Sequence, residues 1–179
     1  MNDVVIREAT LDDATAIAAL HVVAWQRAYG ALAPLEVQAI VDEAFRLRKW
    51  REKLSAPSAD QLVIVAERNS ALVGFGAAGA PSEEIFGGRG EIRFLYIDPE
   101  RKRQGVGRRL LSELVAHLQR CGYSGAALGV VEGNGDALAF YEALGGRVAG
   151  QYIDPGPNWR SNNLVIVWDD LSPLIGKER

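Results

Sequence analysis

A single cysteine, Cys121, stands among 179 residues, so the chain can close no disulfide within itself and build no Cys/His metal cluster. Its two histidines, His21 and His117, are too few for a histidine-based metal site. No apolar run reaches the roughly 20 residues that a membrane-spanning helix needs. The first residues mix Asp3 and Glu8 with a short apolar stretch, which is not a secretion signal. Positive charge is not in excess either. With 20 Lys and Arg against 23 Asp and Glu the formal net charge is −3, without the basic footprint of a nucleic-acid binder. The expectation is a soluble, cytoplasmic protein with no metal, no membrane and no nucleic-acid partner.

What is present is the balance of an ordinary globular protein, 48% hydrophobic and 24% charged residues, in a length that suits one domain over 1–179. Residues 4–7 are β-branched and read as a first strand. Thr10 is placed to cap a helix running to about Tyr29, with Asp12 and Asp13 in its first turn, where carboxylates suit the dipole. Pro34 opens a second helical stretch that continues over 44–54 and stops before Pro57. Two apolar runs, 61–67 and 71–78, flank a short polar turn and form an antiparallel hairpin. A Gly-rich loop over 79–90 precedes a strand over 91–97 that Asp98 and Pro99 close.

Leu110, Leu111, Leu114, Val115 and Leu118 then form one apolar stripe of a long helix that Gly122 ends. A strand over 123–131, a short helix over 136–144 and strands over 147–153 and 163–168 complete the chain. The order is β-α-α-β-β-β-α-β-α-β-β, an α/β fold with a mixed sheet.

The chemistry concentrates where the long helix begins. Arg103, Gln104, Gly105, Val106, Gly107 and Arg108 form a basic turn whose glycines admit close backbone approach. The first helical N–H groups there are free for an anion. Lys102, Arg103, Arg108 and Arg109 crowd a helix end whose dipole disfavours cations, a conflict that a bound polyphosphate would remove. A solvated basic turn is the plainer reading. A Walker loop is absent, and the third glycine of a dinucleotide fingerprint is replaced by Leu110.

Downstream stands a second motif, Asn134-Gly135-Asp136-Ala137-Leu138-Ala139-Phe140-Tyr141-Glu142-Ala143-Leu144-Gly145. With the basic Gly-x-Gly turn before it and the strand Phe94-Leu95-Tyr96-Ile97-Asp98-Pro99, the sequence resembles the GNAT superfamily of acyl-CoA N-acetyltransferases. The clear match covers 91–146, and the two motifs together are far more specific than either alone. The resemblance implies a mostly antiparallel sheet splayed between strands 4 and 5 and flanked by helices. It also implies acetyl transfer from acetyl-CoA, a cosubstrate, to a primary amine of an unidentified acceptor by direct attack in a ternary complex.

By the same resemblance, backbone amides from Arg103 to Arg108 cradle the CoA pyrophosphate. Main-chain groups of Leu95, Tyr96 and Ile97 pair with the pantetheine arm, Asn134 hydrogen-bonds that arm, and Tyr141 protonates the leaving thiolate. Lys102 departs from the Gln or Arg usual in the family. Homodimers are common among its members. Tyr141, three residues after Leu138, also suits a core aromatic.

Glu91 is the candidate base, but alternation places Arg93 on its face, so a salt-bridged strand residue is the equal alternative. Cys121 falls about 24 Å along the helix from Gly105, too far to be an acylated nucleophile. His21, Trp25 and Tyr29 share one face of the first helix, which suits core packing first and otherwise a border of the acceptor cleft, to which Trp25 and Tyr29 are assigned as candidate acceptor contacts alongside His21 as a shaping residue. Trp159 and Arg160 are further acceptor candidates. A CoA-binding sensor with little turnover is the rival from another class.

Overall fold

A computed structural model of the protein describes residues 4–175. Strand β1 (Val5–Glu8) leads through a 3-10 turn, Leu11–Asp13, into helix α1 (Ala14–Tyr29). The Asp13 carboxylate accepts from the Thr10 N–H at 2.7 Å, while a bidentate Arg7 grips the same carboxylate at 2.8 Å. Thr10 therefore caps the 3-10 turn and not α1 itself. The second helical stretch divides into α2 (Leu35–Ile40) and α3 (Glu43–Ser55). The break falls at Val41 and Asp42, where the Asp42 side chain accepts from the Phe45 N–H at 2.8 Å and starts a new helix.

The hairpin follows as β2 (Leu62–Arg68) and β3 (Ala71–Gly79). Its turn residues Asn69 and Ser70 take positive φ, the geometry a two-residue hairpin demands. The loop after β3 contains a short 3-10 turn, Glu84–Phe86, that buries Phe86. Then come β4 (Gly90–Ile97), α4 (Val106–Arg120), β5 (Ala126–Val131), α5 (Gly135–Ala143), β6 (Arg147–Asp154) and β7 (Ser161–Trp168). The strands make one seven-stranded mixed sheet in the order β1-β2-β3-β4-β5-β7-β6. Every neighbouring pair is antiparallel except β4 and β5.

Each face of the sheet carries its own core. Under α4 and α5, Leu110, Leu111, Leu114, Val115 and Leu118 pack on Ile64, Ile92, Leu128 and Ile166. Removing each such side chain from water contributes about 1.5–3 kcal/mol. The helix lies close because the strands beneath it carry glycine: a Cβ at Gly76 would stand 2.7 Å from Leu114 Cδ1. On the opposite face, α1 and α3 pack Ile17, Ala18 and Trp50 on Val65 and Phe75. A smaller cluster there joins Phe86 to Ala127, Val165 and Val167.

Two irregularities of β4 shape everything that follows. Ala77 pairs with Phe94 and Ala78 with Ile92, so Arg93 is an extra, bulged residue. The bulge reverses the alternation: Leu95 and Ile97 turn to the α4 face with Ile92, while Phe94 and Tyr96 turn to the α1 and α3 face. The second irregularity is the short parallel pairing of β4 with β5, which comprises only Gly90 with Ala126 and Glu91 with Ala127. Beyond Glu91 the two strands part and the sheet splays, as the resemblance implies. Among the described residues, no helix is long and apolar enough to cross a membrane.

Candidate active site

The splay opens a cleft of about 790 Å³ whose walls are residues 92–97 of β4 and 128–130 of β5. Since β3 occupies one edge of β4, the other edge has no strand beside it past Glu91. A free strand edge presents unpaired N–H and C=O groups, which an extended ligand can pair with. Leu95, Tyr96 and Ile97 lie on that edge and line the cleft.

At one end of the cleft α4 begins. Gly105 holds φ +80°, and no side chain caps the helix. Its first-turn amides are left to whatever anion sits at the mouth. Arg103 also adopts a left-handed φ of 62°, a strained state for a non-glycine residue. Arg101, Lys102, Arg103 and Arg108 line the same end, with Gly105, Val106 and Gly107 between them. Gly107 also serves the packing of the two helices. A Cβ there would come within 3.3 Å of Phe140, so this glycine seats α4 against α5.

Two members of the basic turn point elsewhere. Arg109 donates to the Val4 carbonyl at 2.9 Å and so ties α4 to the start of the chain. The Gln104 side chain accepts from Arg68 and is not part of the cleft lining.

Further in, three tyrosines and one asparagine converge. Asn134 caps α5, its Oδ1 accepting from the Ala137 N–H at 3.3 Å. The Tyr29 hydroxyl lies near the Asn134 side chain and the Tyr96 hydroxyl. Tyr141 lines the same wall at 8% exposure, edge-on to Trp168 at 5.9 Å. Burial first, and then the neighbouring Tyr29, pushes the Tyr141 phenol above its usual range. Burial does the same for Tyr29 and Tyr96. Each phenol stays protonated at neutral pH and is available as a donor.

Glu91 sits at the closed end, where β4 and β5 still pair, and is not part of the cleft lining. Its carboxylate accepts from the Ser82 N–H at 2.7 Å and faces Arg93 Nε at 3.5 Å. Arg93 donates in turn to the Ala80 carbonyl at 2.6 Å. Glu91 and Arg93 thus form the ion pair that alternation along β4 implies.

The aromatic face of α1 divides. His21 is core: at 2% exposure its Nδ1 accepts from Trp50 Nε1 at 3.0 Å, among Phe75, Phe94 and Tyr96. Trp25 and Tyr29 are half-buried and meet Trp159 from the loop before β7, with ring centroids 6.2 and 5.9 Å away. Arg160 lies beside Trp159 in a small neighbouring pocket of about 280 Å³. Cys121 is exposed at the far end of α4, its Sγ 3.5 Å from His117 Nε2.

The sequence model of the acetyltransferase (GNAT) family matches residues 19–146, which include the splayed strands, the α4 turn and the α5 motif. The chain belongs to this family. It is an acetyl-CoA-dependent N-acetyltransferase of the GNAT type, and its fold recurs in solved members. The N-acetyltransferase YuaI of Bacillus subtilis is 29% identical over 172 residues, covering 96% of each chain. The PaiA N-acetyltransferase of Thermoplasma acidophilum, solved with coenzyme A, is 20% identical at a TM-score of 0.74, over 92% of this chain and 98% of that one. The acetyltransferase yncA of Salmonella typhimurium, solved with its cofactor acetyl-CoA, is 24% identical at a TM-score of 0.68, over 93% of each. Among the described residues no group of three or more His, Cys, Asp or Glu is placed to hold a metal.

Proposed function

We propose that acetyl-CoA lies in the splay with its pyrophosphate on the α4 turn, its pantetheine along the β4 edge and its thioester beside Tyr141. The observation that carries this reading is the continuity of the cleft. One wall runs from four cations and the uncapped helix through the free edge of Leu95, Tyr96 and Ile97 to the buried Tyr141. The Arg103, Gln104, Gly105, Val106, Gly107 and Arg108 amides then take the phosphate oxygens, as helix N-termini do. The Asn134 side chain, held by the Ala137 N–H, hydrogen-bonds the cofactor arm.

The acceptor enters from the α1 side, past Tyr29, Trp25 and Trp159. Its amine nitrogen attacks the thioester carbonyl carbon in a ternary complex, and the C–S bond breaks. Tyr141 gives its phenolic proton to the departing sulfur. The proton shed by the new amide nitrogen returns to the phenolate through water. A dry site raises the proton affinity of a thiolate for the same reason that it raises that of a phenolate, so donor and acceptor stay matched. Glu91 serves as a positioning residue, since its carboxylate is committed to Ser82 and Arg93.

Tyr141→Phe tests this assignment. It removes one hydroxyl and keeps the ring against Trp168. The chemical step should slow by about 10²–10⁴-fold with acetyl-CoA affinity nearly intact. Unchanged turnover would remove Tyr141 from the mechanism. Tight acetyl-CoA binding with no CoA released on any amine would favour a sensor.

A further inference from the structure

The face of the splay opposite α4 holds a cation without a counter-charge. Arg46, Trp50 and Lys53 share one side of α3, four and three residues apart, and that side meets the sheet. Lys53 rests over the Phe94 ring and is influenced by both Arg93 and Glu91. Arg93 has Glu91 and the Ala80 carbonyl. Among the described residues, neither a carboxylate nor a carbonyl pairs with Arg46 in the same way. Its guanidinium carbon stands 5.6 Å from the Trp25 ring and 5.8 Å from the Phe45 ring. Its Nε is buried with no hydrogen-bond partner, and among the described residues no ion pair joins it to a carboxylate.

A half-buried guanidinium pays a desolvation cost that aromatic rings offset only in part. An anionic ligand would complete its environment. The position makes that ligand the acceptor. The Arg46 guanidinium stands over Trp25, whose ring lies 5.6 Å from that of Tyr29, and Tyr29 lines the cleft with Tyr96 and Tyr141. Trp25 meets Tyr29 and Trp159 to form an aromatic wall. An amine anchored at Arg46 would thus have its carbon skeleton along that wall and its nitrogen near the thioester.

We propose that the acceptor is a small amine that also carries a carboxylate, and that Arg46 is the residue that binds this carboxylate. A lone arginine flanked by rings suits a planar carboxylate, which accepts two parallel N–H bonds. The inference rests on the acyl-transfer reading above and adds the chemical class of the acceptor.

The test compares CoA release from acetyl-CoA with glycine, methionine and phenylalanine against the C-terminal amide of each, and phosphoethanolamine against ethanolamine. The expected result is a kcat/KM for at least one amino acid about ten- to a hundredfold above that of its amide, carried by KM. In Arg46→Gln the acid-to-amide ratio falls to near one, and in Arg46→Lys part of it returns. Because the readout is a ratio within one variant, partial loss of folded protein does not imitate it. Equal use of acids and amides, or an unaltered ratio in Arg46→Gln, overturns the carboxylate assignment and leaves acyl transfer standing. So does a preference for phosphoethanolamine over every amino acid. Acetyl-CoA that binds but yields no CoA with any of these amines counts against both.

Discussion

His21 buried neutral beside Trp50 makes the stability of this protein depend on pH in a window where carboxylates contribute little. Burial, and then the charge of Arg46, hold the imidazole well below its ordinary value of 6.5. The unfolded chain binds a proton at this residue as pH falls through 6.5, and the folded chain does not. Unfolding therefore gains protons, and stability falls with falling pH. For one group titrating only in the unfolded state the loss between pH 7.5 and 5.5 is about 1.4 kcal/mol. His21→Gln removes the ionisable group and leaves an amide oxygen to accept from Trp50 Nε1. Urea unfolding at pH 7.5, 6.5 and 5.5 of both proteins gives the comparison, and every other titrating group cancels in the difference. The parent should lose about 1.4 kcal/mol more than the variant over this range. Equal losses would refute the claim that His21 is held neutral by burial.

Other expectations follow from single contacts. Arg7 joins Asp13 and Glu67, and it holds the Asp13 carboxyl down at about 2. Arg7→Met should lower the unfolding free energy at pH 7 by about 1–3 kcal/mol in a urea titration. This contribution is present above pH 3.8 and fades as pH falls toward 2. Gly105→Ala forces a Cβ onto φ +80° with open space around it. It should cost about 1 kcal/mol of stability and weaken acetyl-CoA in a binding titration. Glu91→Gln keeps an acceptor for Ser82 but loses the charge opposite Arg93. Its rate should drop by the same factor at every pH, and a loss that grows in one pH limb would restore Glu91 as the base.

Legibility of the sequence differed from region to region. The α4 stripe, the 61–78 hairpin and the α5 motif announce themselves because their signals are local: a 3.6-residue apolar period, a polar turn between two apolar runs, and an Asn cap. The division of the second helical stretch at Asp42 was hidden by apolar residues on both sides that hold helical spacing through the break. The bulge at Arg93 has no mark in the strand sequence, yet it decides which of Ile92, Phe94, Leu95 and Tyr96 faces which helix.

The meeting of Trp25 and Tyr29 with Trp159 joins parts of the chain about 130 residues apart and depends wholly on the tertiary fold. Arg46 is not legible in the sequence as a ligand contact. The only signal was a basic residue four positions before Trp50 on the apolar side of a helix, a pattern that ordinarily means a long side chain reaching out to water.

The central claim is that acetyl-CoA runs through the splay from the α4 turn to Tyr141. Amide ¹H–¹⁵N spectra recorded while acetyl-CoA is titrated in test it most directly. The account predicts that the largest shifts fall on Leu95, Tyr96 and Ile97 and on the amides from Arg103 to Arg108. Saturable binding that leaves both groups of amides unmoved while others shift would contradict it.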